Sequence, residues 1–100
     1  MIQKWLRQTK DYANKIRRPD LICNDGFEMS VQASNVHYCS PRIDNADYYS
    51  EVEVGFPTTV EAELIYYAED RRHLLKTVYS YVPVELVEKI INKHGGIADD

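Results

Sequence analysis

One hundred residues leave room for one domain, residues 1–100, built on a single hydrophobic core. Apolar residues are 44% of the chain, too many for a disordered segment, and the net charge of −4 is unevenly placed. The first 18 residues hold six cations against Asp11, a balance of +5, so the remaining 82 sum to −9. No run approaches the roughly 20 apolar residues of a membrane span. The first residues, with Lys4 and Arg7 among them, lack the apolar stretch of a signal peptide. The expectation is a cytoplasmic protein, without membrane contact, whose two cysteines, Cys23 and Cys39, stay reduced.

Ile2, Trp5, Leu6, Tyr12, Ala13 and Ile16 recur at helical spacing among lysines and arginines, which predicts an amphipathic helix over residues 2–16. Its basic face can meet a phosphate, an acidic partner or a neighbouring subunit, or simply face water. Pro19 ends the helix, and residues 17–20 read as a short connection. Residues 21–23 form a brief apolar strand, and Asn24-Asp25-Gly26 supplies the tolerance of positive φ that a tight hairpin needs. Phe27, Met29, Val31 and Ala33 then alternate with Glu28, Ser30, Gln32 and Ser34, a strand with one face on the core and one in water.

Residues 35–47 show no period and read as a loop, with a short strand over residues 36–39 compatible with the pattern. Alternation resumes with Tyr48, Ser50, Val52, Val54 and Phe56 on one face, and Tyr49, Glu51 and Glu53 on the other. Thr58 and Glu61 fit a capping box that would open a short helix over residues 59–69. Residues 69–72 form a charged connection. Thr77, Tyr79 and Tyr81 oppose Val78, Ser80 and Val82 in a further strand. Pro83 suits a first helical turn, Val84, Leu86, Val87, Ile90 and Ile91 give an apolar stripe, and Gly95 and Gly96 stop it. The order α-β-β-β-α-β-α predicts an α+β fold: a small antiparallel sheet of about four strands with N-terminal, middle and C-terminal helices packed on it.

Chemistry is harder to place. Cys23, His37, Cys39 and His73 or His94 lack the paired spacing of a zinc site, and packed cysteines with surface histidines explain them as well. No nucleophile elbow, Gly-rich phosphate loop or paired acidic helix motif is present, so no enzyme, metal or cofactor is expected. The segment YCSPR offers a ring, hydroxyls and a guanidinium within five residues. Arg42 can fork onto a phosphate or carboxylate and Tyr38 can stack on a flat base. Tyr38, Ser40, Arg42 and Gln32, with Trp5, are therefore candidate ligand-binding residues. The plainer alternative has Pro41 shaping a turn and Arg42 paired with Asp44, Asp47 or Glu51. A protein-binding alternative uses Tyr49, Glu51, Glu53, Asp44 and Asp47. Eight tyrosines against two phenylalanines and one tryptophan suit half-buried surfaces such as interfaces, although strands favour tyrosine in any case. The net acidity and the absence of a known motif argue against direct nucleic-acid binding.

The segments DGFEMSVQAS, HYCSPR, VEVGFP, YAED and TVYSYVPVELVEKIINKHGGI resemble those of small bacteriophage and prophage accessory proteins. The resemblance spans most of the chain, and no residue role transfers with it. It implies a setting, the infected bacterial cell, and a task, antagonising host defence by binding. The leading expectation is a non-catalytic homo-oligomeric sponge for a nucleotide-derived immune signal. The alternative is an anti-CRISPR-like protein that covers a site on a defence complex, and a third is a structural or regulatory phage protein.

Overall fold

A computed structural model describes residues 1–13 and 17–98. Helices α1 (Ile2–Gln8) and α2 (Lys10–Ala13) lead into strands β1 (Leu21–Ile22), β2 (Glu28–Gln32) and β3 (Glu51–Gly55). A 3₁₀ helix (Ala62–Tyr67), strand β4 (Val78–Pro83) and helix α3 (Val84–Lys93) complete the order. The strands form one antiparallel sheet in the order β1-β2-β3-β4, so the fold is α+β. No helix among the described residues is long and apolar enough to cross a membrane.

The single N-terminal helix expected over residues 2–16 is broken at Thr9, and its final residues 14–16 lie outside the described residues. Thr9 Oγ1 donates back to the Trp5 carbonyl at 2.8 Å, the local bond through which threonine competes with a helix ladder. The same oxygen accepts from Arg18 Nε at 2.9 Å. Ile2 and Leu6 enter the core as expected, while Tyr12 is exposed.

The hairpin forms as read. Gly26 sits at φ +93 in its turn, and the Cys23 N–H donates to the Phe27 carbonyl at 2.8 Å. Of the water-facing side expected for β2 only Glu28 stays partly exposed, because Ser30, Gln32 and Ser34 are all buried. Residue 18 covers Gln32, which in turn bonds Ser30, while Ser34 is tied to Val36 and His37. Gln32 Oε1 accepts from the Arg18 N–H, and Gln32 Nε2 donates to the Arg18 carbonyl, each at 2.9 Å. The amide thus imitates a strand partner and makes burial of its face affordable.

Strand β3 buries Val52 and Val54 as expected, whereas the residues leading into it and strand β4 depart from simple alternation. Pairing in β3 begins only at Glu51, and the residue before it that turns inward is Tyr49 rather than Tyr48. Gln3 exchanges two hydrogen bonds with the Tyr49 backbone, at 2.7 and 3.1 Å, and the Tyr49 hydroxyl donates to the Ile43 carbonyl at 2.7 Å. In β4, Val82 pairs with Val52 but Tyr79 pairs with Val54, so a bulge at Ser80–Tyr81 lies opposite Glu53. Tyr79 and Val82 both reach the core, and Tyr81 is turned outward at φ +53.

The expected capping box does not form. Thr58 instead pairs with Glu28, through Thr58 N–H to the Glu28 carbonyl at 2.9 Å and Glu28 N–H to Thr58 Oγ1 at 3.1 Å. The middle helix is a 3₁₀ helix that starts after Glu61, whose carboxylate turns inward to Lys93 and His94. Helix α3 buries Val84, Val87, Ile90 and Ile91 against β4 and α1, then ends before Gly95 and Gly96, both at positive φ. The backbone runs on beside β1: Asn24 N–H donates to the Gly96 carbonyl at 2.9 Å and Ala98 N–H to the Ile22 carbonyl at 2.8 Å.

Candidate functional site

The loop between β2 and β3 contains no regular strand over residues 36–39, yet it is tightly fastened. Ser34 Oγ accepts from the Val36 N–H at 3.1 Å and meets His37 Nδ1 at 2.7 Å. Burial pushes His37 below the usual histidine range, against the pull of Glu53, which favours the neutral ring in its bond with the serine hydroxyl. The Cys39 thiol is buried and donates to the Ser34 carbonyl at 3.1 Å, which leaves it unpaired with His37. Asp44 accepts from the Asn35 N–H at 2.9 Å and closes the loop upon itself. The Ser40–Pro41 peptide is cis.

Strand β3 braces this loop from below. Glu51 Oε1 accepts from Ser40 Oγ at 2.7 Å, and Glu53 Oε1 accepts from the Tyr38 N–H at 3.2 Å. The Tyr38 carbonyl in turn accepts from the Tyr81 N–H at 3.1 Å, which ties the loop to the bulge in β4. The result is an exposed trio. The Tyr38 and Tyr81 rings lie 5.9 Å apart at 37°, and the Arg42 guanidinium carbon sits 5.2 Å from the Tyr38 ring centre, within cation–π reach. Arg42 also donates to the Val36 carbonyl at 3.3 Å. Among the described residues it pairs with no carboxylate, so Asp44, Asp47 and Glu51 leave it free to face outward. Tyr38 and Tyr81 are 38% and 40% exposed, and Val36 and Ile43 add apolar surface alongside.

Of the residues proposed for a nucleotide pocket, Tyr38, Ser40 and Arg42 come together, although the Ser40 hydroxyl is spent on Glu51. Gln32 is 3% exposed, and its amide is bonded to Arg18 and Ser30. Trp5 stands elsewhere, between two adjoining surface hollows of about 560 and about 400 Å³ next to Gln8 and Ile97. Of the protein-binding alternative, Tyr49 is 2% exposed and belongs to the core. Asp44, Glu51 and Glu53 hold the loop, and Asp47 is exposed.

Sequence reasoning missed Tyr81, because alternation placed it with Tyr79 and nothing in TVYSYVP signals a bulge. It also missed an ionic cluster built on the buried Glu61 and the largely covered His94. His94 Nδ1 meets Asp25 Oδ2 at 2.6 Å, His94 Nε2 meets Glu61 Oε1, and Lys93 Nζ meets Glu61 Oε2 at 2.7 Å. Phe27 stacks on the imidazole at 4.0 Å and 6°. The signals were dispersed, since these residues lie up to 69 positions apart. Comparisons with protein-family models, characterised proteins and solved structures find no match to this chain.

Proposed function

We propose that this is a non-catalytic binding protein of phage or prophage origin that antagonises host defence by covering a site on a defence protein. The observation that carries the reading is the exposed trio Tyr38, Tyr81 and Arg42, held in place by β3 carboxylates and a shared backbone bond. Tyrosine and arginine are enriched at the residues that dominate protein interfaces, because tyrosine covers much area with few rotatable bonds and arginine brings a planar, charged fork. Fixing them before binding lowers the entropic cost of association. The trio is open to solvent, with Tyr38 and Tyr81 both exposed, which suits a macromolecular partner. Glu51 and Glu53 serve this surface as braces. The phage setting is supported by the resemblance of the segments around these residues.

A second reading keeps the nucleotide signal as the partner. The open ring face of Tyr38 beside the Arg42 guanidinium favours it, since that pair can stack a base and bind its phosphate. In this reading a homo-oligomer closes the site from two copies.

Native mass spectrometry of the protein drawn from cells that express a defence system distinguishes these outcomes. A complex with a defence protein, lost in Tyr81→Ala and Arg42→Ala, supports the first reading. A homo-oligomer that gains the mass of a cyclic nucleotide, again dependent on Arg42, supports the second. A monomer that takes up neither overturns both.

A further inference from the structure

On the other side of the loop, a cavity of about 80 Å³ opens between α1, α2 and the residues leading into β3. A single water needs roughly 10–15 Å³ by the same measure, so the space admits a tetrahedral oxyanion. Arg7, Lys10 and Arg18 line it, against one carboxylate, Asp47. Among the described residues none of the three cations is in ion-pair contact with a carboxylate. Arg18 is the unusual member, a guanidinium 1% exposed whose bonds run only to neutral acceptors: Thr9 Oγ1 at 2.9 Å, the Ala33 carbonyl at 2.6 Å and the Leu6 carbonyl at 3.3 Å. A buried cation without a counter-charge is costly, and an anion in the adjoining space would offset that cost. The break at Thr9 makes the arrangement possible, because it ends α1 where the Thr9 hydroxyl can hold Arg18 beneath Arg7 and Lys10. The opposite wall carries Tyr49 and Asn45, the latter in the left-handed region at φ +54.

We propose that this cavity binds a small phosphate-bearing anion through Arg7, Lys10 and Arg18. The site is separate from the Tyr38–Tyr81–Arg42 surface and does not depend on the function proposed for it. Two sources share the chemistry, free phosphate and the phosphate of a mononucleotide, and direct recognition of the phosphoryl oxygens is common to both.

The test is a titration of the ¹⁵N-labelled protein with inorganic phosphate and, in parallel, with adenosine monophosphate. Ionic strength is held constant with chloride, and amide shifts are followed. The expected result is saturable movement confined to the amides around Arg7, Lys10, Asn45 and Tyr49. Arg7→Gln and Lys10→Gln, both at exposed positions, should each weaken binding about tenfold, the loss expected for one charge-assisted hydrogen bond. Equal affinity for the two probes assigns the site to the phosphate alone, and tighter binding of the nucleotide assigns it to a larger ligand. Absence of saturable shifts with both probes, or shifts unchanged in the Arg7→Gln, Lys10→Gln double variant, overturns the proposal.

Discussion

Glu61 meets His94 where the entry to the 3₁₀ helix faces the end of α3, and the glutamate is only 2% exposed. The imidazole bonds a carboxylate through each nitrogen, Glu61 on one side and Asp25 on the other. Ionised carboxylates only accept, so both bonds are satisfied at once when His94 carries two protons. Lys93 supplies a second cation to Glu61. The cluster ties the β1–β2 turn, the 3₁₀ helix and α3 together at one point.

Stability should therefore be highest between the ordinary carboxylate and histidine ranges. Burial opposes the charge on His94, but Glu61 and Asp25 overcome it and raise its pKa above the usual 6.5. That contribution is complete below about 6.5 and is lost as pH rises through the raised folded value. Burial likewise opposes the charge on Glu61, but Lys93 and His94 win and hold it below 4.5, while the Phe27 N–H and His94 lower Asp25. Those contributions exist above the unfolded carboxylate values and fade as pH falls through the lowered folded ones. Asp70, lowered by His73 and Arg72, adds to the acid side. Melting temperature against pH should show a plateau flanked by two declines, and His94→Gln should remove the alkaline decline. An unchanged alkaline decline in that variant would sink the assignment.

Arg18 should resist conservative replacement. Arg18→Lys keeps the charge but cannot reach Thr9, Leu6 and Ala33 together, because an ammonium lacks the planar fork. A loss of about 2–4 kcal/mol is expected in urea unfolding, the scale of breaking a buried hydrogen-bond network. A loss under about 1 kcal/mol, the value of one ordinary hydrogen bond, would show that these bonds contribute little.

At Tyr81, stability and binding should separate. A non-glycine residue in the left-handed region costs about 1–3 kcal/mol, and losing the ring contact with Tyr38 costs about 0.5–1.5 kcal/mol. These oppose each other in Tyr81→Gly, so its melting temperature should stay close to that of the parent while partner binding falls. Tyr81→Val, with a branched side chain at the same φ, should lose both. Equal stability of the two variants would contradict the strain argument.

Both thiols should be silent in the native protein. Burial, helped by Asp25 and Glu61, pushes Cys23 up to about 11, and burial also raises Cys39. The thiolate is the reactive form, so neither should react with an alkylating agent at pH 7 until the chain opens. Mass spectrometry of the native and urea-unfolded protein with iodoacetamide reads this directly, and rapid native labelling would disprove it.

Much of the fold was legible in the sequence because local rules governed it. Asn24-Asp25-Gly26 had one economical use, and the stripe of α3 ended at the paired glycines as read. Errors arose wherever a polar side chain found a distant partner. Gln32 looked solvent-facing until Arg18 covered it, and Glu61 looked like a cap until His94 claimed it. Tyr38 and Arg42 were visible as a pair within YCSPR, whereas Tyr81 joins them only through a bulge that alternation cannot report. Trp5 showed the same limit in reverse, since it lines hollows of its own, apart from Tyr38 and Arg42.

The pairings at the two margins of the sheet bear on how the protein behaves in a crowded cell. Residues 96–98 satisfy β1 on its outer side, and Glu69 does the same for β4, its N–H donating to the Val78 carbonyl at 3.0 Å beside the Ala68–Tyr79 bridge. Another chain then finds no ready row of open peptide groups on which to add itself as a further strand. Recognition at these edges falls to side chains, and edge-to-edge strand addition is disfavoured. Removing residues 96–98 should cost more in solubility at high concentration than in melting temperature, because what those residues guard is the boundary between one molecule and the next.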